Sequence, residues 1–219
     1  MENLKLLINL INIHIKNNFR NPQKLLYLIF FSFIVVIIFA FSFDLNKDTN
    51  IYSGIIWSVI IFSSTNILSD SFKEESDNNI FYRYKLSSVS LSLLLISRML
   101  SNIIIITIWE ILIIFLEFIF LNINHEINLW FIVTIILGTI GYVVLSTFFS
   151  LLISGEKNIF TAIIIYPLIL PLIMGLLKMT SMALKSNITE EYFFWLKITG
   201  GFNVIYLSLI IILTEITEE

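Results

Sequence analysis

Long apolar runs alternate with short polar breaks, at a spacing that fits repeated membrane crossing. A helix needs about 20 apolar residues to cross the hydrocarbon layer. Leu25–Phe43 and Ile51–Ser69 carry no charge and predict two spans, joined by the polar turn Asp44–Asn50. Met99–Leu121 predicts a third span, interrupted by Glu110 and Glu117. Ile127–Ser154 predicts a fourth, with Trp130 near one interface. Ile159–Leu177 predicts a fifth, broken by Pro167 and Pro171, and residues 196–214 predict a sixth. Leu86–Ser97 is apolar but rich in Ser and is followed by Arg98, so it reads as interfacial or as the approach to the third span. Lys178–Trp195 reads as a polar, aromatic loop.

Two stretches depart from this alternation. Within residues 1–24, Leu4, Ile8, Ile11, Ile15 and Phe19 fall on one helical stripe, and Lys5, Asn9, Asn12, Lys16 and Arg20 on the next. That pattern predicts an amphipathic helix on the cytoplasmic membrane surface, ended by Asn21-Pro22. Residues 70–98 begin with Asp70–Lys85, the longest strongly polar interruption in the chain. The plain reading of that stretch is a solvated loop. The functional reading is a docking element, in which Phe72, Ile80 and Phe81 are apolar anchors. Glu74 and Glu75 form its acid pair, and Lys73, Arg83 and Lys85 its basic groups.

Composition places the whole chain in the membrane class. It is 58% hydrophobic and 13% charged, where a soluble domain is about a quarter charged. A net charge of −3 gives no reason to expect nucleic acid. The absence of Cys excludes disulfides, thiolate chemistry, Cys metal sites and haem attachment through a Cys pair. No cleavable signal peptide is expected, so the first apolar run should remain a span. With six spans, Lys5, Lys16, Arg20, Lys24, Lys73, Arg83, Lys85, Arg98 and Lys157 fall on one side. Only Lys47, Lys178, Lys185 and Lys197 fall on the other. The positive-inside bias therefore puts both termini and Asp70–Lys85 in the cytoplasm. The expected fold is an all-α integral membrane protein, a single domain over residues 1–219.

Few residues carry candidate chemistry. Glu110 and Glu117 lie seven apart on one face of the third span. A carboxylate at that depth turns inward, finds a partner or takes a proton. A proton-coupled secondary carrier would use such a pair. A packing role, hydrogen-bonded to Ser, Thr or Tyr of a neighbouring span, is the plainer reading. Pro167 and Pro171 each remove a backbone hydrogen bond, which fits either a hinge lining a pathway or a static kink. Gly138, Gly141, Gly200 and Gly201 should allow close helix approach. His14 and His125 lack a second ligand nearby in sequence, so neither is expected to bind haem iron or a metal. No phosphate-binding loop, zinc motif or nucleophile elbow is present, so the chain is not expected to be an enzyme or to hydrolyse ATP alone.

Several residues also match a family pattern in order and spacing. These are Gly54-Ile55-Ile56-Trp57, Phe72-Lys73-Glu74-Glu75, Gly138 and Gly141, and Tyr166-Pro167 through Pro171. On them the chain resembles the haem exporter B (CcmB) family. Asn78-Asn79-Ile80 and Leu86-Ser87-Ser88 depart from that pattern. The resemblance implies an ABC-2-type permease with a short cytoplasmic helix docked on a separate ABC ATPase subunit (CcmA-like). It implies two permease copies per complex in the bacterial inner membrane, serving cytochrome c maturation. The other implied partners are haem-handling membrane proteins (CcmC-like and CcmD-like) and a haem chaperone (CcmE-like). No directly bound cofactor is expected. ATP would act through the partner, and haem is a candidate cargo. A passive assembly scaffold is a further alternative.

Overall fold

The computed structural model describes residues 2–20, 22–42, 48–77, 90–123, 127–155 and 159–218. Seven helices and no strand are found among the described residues. They are α1 (Glu2–Phe19), α2 (Pro22–Ser42), α3 (Thr49–Asp77), α4 (Leu91–Phe120), α5 (Leu129–Gly155), α6 (Ile159–Leu184) and α7 (Glu190–Glu218). Ser92–Phe120, Leu129–Thr147, Pro167–Leu184 and Glu190–Ile212 are long and apolar enough to cross a membrane. Leu28–Ser42 and Thr49–Ser64 are shorter apolar stretches.

Helices α5, α6 and α7 pack on one another, and α3 lies against α6, α4 and α2. Helix α1 packs along α4. Lipid is as apolar as Leu, so close packing rather than water exclusion holds such helices together, and small residues set the closeness. A Cβ on Gly138 would collide with the Trp57 ring and Leu176. One on Gly141 would collide with Asn203 and Leu172, and one on Gly175 with Thr199. Gly200 and Gly201 correct the sequence expectation, because nothing lies within 4 Å of a Cβ added at either. Gly201 sits on the exposed side of α7, away from the other described helices.

Polar capping fixes one end of the bundle. Asn122 (φ 50°) and Ser186 (φ 54°) take the left-handed conformation that closes α4 and α6. Asn128 Oδ1 accepts the Phe131 N–H at 2.9 Å and caps α5. Its Nδ2 donates to the Ala183 carbonyl in the last turn of α6, which also accepts the Ser186 N–H at 3.0 Å. Thr49 and Ser181 hydroxyls meet at 2.9 Å, and Ser181 donates to Asn50 Oδ1. Residues 49–50, Asn128 and 181–186 thus lie together.

Two boundaries differ from the sequence reading. Residues 178–195 are mostly helical, and only 185–189 connect α6 to α7. Lys178 is exposed on α6 while Met179, Ala183 and Leu184 extend the buried face, so one charge does not end the helix. Helix α4 begins at Leu91, well before Met99, and Arg98 is buried within it rather than standing at its watery edge. Helix α1 covers these first turns. The Ser101 hydroxyl of α4 lies 3.5 Å from the Ile11 carbonyl.

Candidate functional site

The proposed docking stretch begins on a rod. Helix α3 does not stop at Ser69 but runs on through Asp70–Asp77. Those eight further residues, at about 1.5 Å each, extend the helix roughly 12 Å beyond its apolar part. Phe72, Lys73, Glu74 and Glu75 lie on this extension. Ile80, Phe81, Arg83 and Lys85 lie outside the described residues.

At its other end the same helix is fixed into the bundle. Trp57 is 1% exposed, and its indole N–H donates to Thr180 Oγ1 at 2.8 Å. Its ring edge occupies the space left by Gly138. Trp57 and Gly138 therefore meet at the junction of α3, α5 and α6. Ser32 on α2 reaches Ser63 on α3 at 2.9 Å.

Helix α4 carries the charged interior. Arg98, Asn102, Glu110 and Glu117 lie on its buried side. From Arg98 to Glu117 the helix rises roughly 28 Å, close to the thickness of the hydrocarbon layer. Glu110 Oε2 accepts from Thr139 Oγ1 of α5 at 2.6 Å, while Oε1 has no partner among the described residues. Glu117 is fully buried, and neither of its oxygens has a partner among them. Asn102 Nδ2, Trp109 Nε1 and Asn203 Oδ1 stand likewise. Each such buried atom costs about 1–3 kcal/mol relative to a satisfied one. Intramembrane ionisable side chains of this kind are functional candidates by default.

His14 lies where α1 faces Arg98. Its Nε2 is buried without a partner among the described residues. Burial and the neighbouring guanidinium both lower its pKa, so the ring is neutral near pH 7. No group of three or more His, Asp or Glu that could hold a metal occurs among the described residues. His125 lies outside the described residues.

Helix α6 is continuous through Pro167 and Pro171, and Pro167 is exposed. Pro171 removes the N–H that would reach the carbonyl of residue 167. One residue on, the Leu168 carbonyl accepts the Tyr206 hydroxyl from α7. This bond ties the proline-bearing turn to its neighbour.

Sequence reasoning missed the burial of Arg98 and the roles of Asn102, Thr180, Gly175 and Asn203. Arg98 and Asn102 lie four apart, one turn along a helix, and that spacing was the available signal. Contacts between helices, such as Trp57 with Thr180, leave no local signal.

Apolar helices of spanning length, packed through glycines around a polar interior, define a multi-pass integral membrane protein of all-helical class. The chain belongs to the CcmB protein family, whose pattern matches residues 5–214. It is accordingly a membrane permease component of haem export in cytochrome c maturation, in a family of permeases rather than enzymes. No curated protein and no solved structure matches the chain.

Proposed function

We propose that this chain is the six-span, ABC-2-type subunit through which a separate ATPase drives the cytochrome c maturation complex. Both termini and the segment after Ser69 are cytoplasmic in this reading, and the complex sits in a bacterial inner membrane with two permease copies. The ATPase subunit (CcmA-like) docks on Asp70–Lys85. The haem-handling proteins (CcmC-like and CcmD-like) and haem chaperone (CcmE-like) act with it, with haem the candidate cargo. The observation that carries this is the continuity of α3 from the Trp57 junction to Asp77. A single rigid helix transmits a push from its polar end to the bundle interior, whereas a solvated loop does not.

Topology and partnership are tested together. Cysteines at Asn46 and Asn187 should label from outside the cell, and one at Asn79 only from inside. An ABC ATPase should co-purify with the solubilised permease. Outside labelling at position 79 would contradict both the orientation and the docking.

The Glu117 oxygens, without a partner among the described residues, favour a second reading, a proton-coupled carrier that uses Glu110 and Glu117. Glu110→Gln separates the two. Gln can still accept from Thr139, so a structural Glu110 leaves most cytochrome c maturation intact. Complete loss at normal protein level supports proton coupling.

A further inference from the structure

Helix α1 meets α4 through the half-buried Leu7, Leu10, Ile11, His14, Ile15 and Asn18. Directly opposite, about half a turn away, lies the strip Lys5, Asn9, Asn12, Lys16 and Arg20, all exposed. A helix facing bulk water on that side would carry polar neighbours. Here apolar side chains flank the strip on both edges: Leu4 (66% exposed), Ile8 and Phe19 on one, Ile13 (54%) and Leu6 on the other. These five side chains are 37–66% exposed, and the exposed Asn17 shares the second edge. Three cations stand between two apolar borders, and Glu2 is the one acidic residue of the helix. Acyl chains cover such borders while phosphates meet the cations between them.

We propose that the outward face of α1 is a binding surface for anionic phospholipid of the cytoplasmic leaflet. Lys5, Lys16 and Arg20 receive the headgroups, and Leu4, Ile8, Ile13 and Phe19 enter the acyl boundary. Charge complementarity selects the lipid. Each cation held near an anionic surface favours contact by about fivefold.

The chain has no Cys, so a single label is clean. Full-length protein carrying Asn12→Cys, labelled with an environment-sensitive fluorophore, is placed in nanodiscs of phosphatidylcholine with increasing phosphatidylglycerol. The emission should shift to the blue as phosphatidylglycerol rises, and high salt should reverse the shift. The half-point should move to about fivefold more phosphatidylglycerol with each of Lys5→Gln, Lys16→Gln and Arg20→Gln. In the triple variant the shift should vanish. Identical emission in both lipids, or a shift that survives in the triple variant, overturns the proposal. So does the same shift produced by inorganic phosphate in phosphatidylcholine discs. A label covered only after the ATPase subunit is added also overturns it, and assigns the face to a protein partner.

Discussion

The junction of α3, α5 and α6 and the buried side of α4 solve the same problem in opposite ways. At the junction, polar atoms are matched across helices. Trp57 donates to Thr180 and Asn128 serves the ends of both α5 and α6, and beside them Thr134 of α5 meets Tyr192 of α7 at 3.0 Å. Glycines let the backbones approach until side chains such as Trp57 fit one way only. On α4, among the described residues, Glu117 has no partner, Glu110 has one for one of its two oxygens, and Trp109 Nε1 and Asn102 Nδ2 have none. A matched group resists rearrangement, because moving it breaks a bond. An unmatched group loses nothing when its surroundings change and gains if the new state supplies a partner. The contrast assigns the junction to the fixed frame and α4 to the part whose neighbours change.

The largest expected effect lies in the frame. Trp57→Ala removes a fully buried indole and its hydrogen bond, which should destabilise by about 3–5 kcal/mol. Gly138→Ala should cost about 1–3 kcal/mol alone and less in the Trp57→Ala background, where the ring that obstructs it most closely is gone and only the Leu176 side-chain end must shift. Thermal unfolding of the solubilised protein reads both. Additive losses would show that the two residues do not share one space.

Asn128→Ala comes next. It uncaps α5 and removes one of the two bonds to the Ala183 carbonyl, which keeps the Ser186 N–H, so a loss of about 1 kcal/mol is expected in the same assay. A loss near zero would mean that water replaces both bonds.

Glu117→Leu should go the other way. Replacing an unpartnered buried carboxyl with an apolar side chain of similar size is neutral or stabilising. A loss as large as that of Trp57→Ala would erase the contrast between frame and α4.

The smallest effect concerns the hold of α1 on α4. Burial and Arg98 lower the pKa of His14 from its ordinary 6.5. The unfolded chain therefore takes up the proton first, and the contribution of this contact is full above pH 6.5 and falls as pH drops below it. Spin labels at the exposed positions Asn12→Cys and Leu100→Cys should report a modest separation of α1 from α4 on acidification, and His14→Gln should remove that pH dependence.

The apolar runs of the sequence place the long helices, because hydrophobic length is a local property of the chain. Gly138 and Gly141 were legible as close approaches, whereas Gly200-Gly201 has the same composition and no neighbour. The difference lies in which side of the helix each faces, and no local pattern encodes that. Arg98 reads in sequence as the watery end of a span. Its burial depends on α1, which arrives from the far end of the chain. The α3 extension was hidden for another reason: charge marks where the membrane ends, not where the helix ends.

The central claim is that the polar end of α3 passes ATP-driven motion into this frame. Its most direct test is affinity pull-down of the ATPase subunit from solubilised membranes carrying Phe72→Ala or Phe81→Ala, beside a cytochrome c maturation assay. Truncating an anchoring aromatic commonly costs about 2 kcal/mol or more, roughly thirtyfold in affinity. Both variants should remain in the membrane, release the ATPase and stop maturation. Glu74→Lys with Glu75→Lys should weaken recovery in a salt-dependent way. Unchanged recovery and unchanged maturation in all three would contradict the account and leave Asp70–Lys85 a connecting segment.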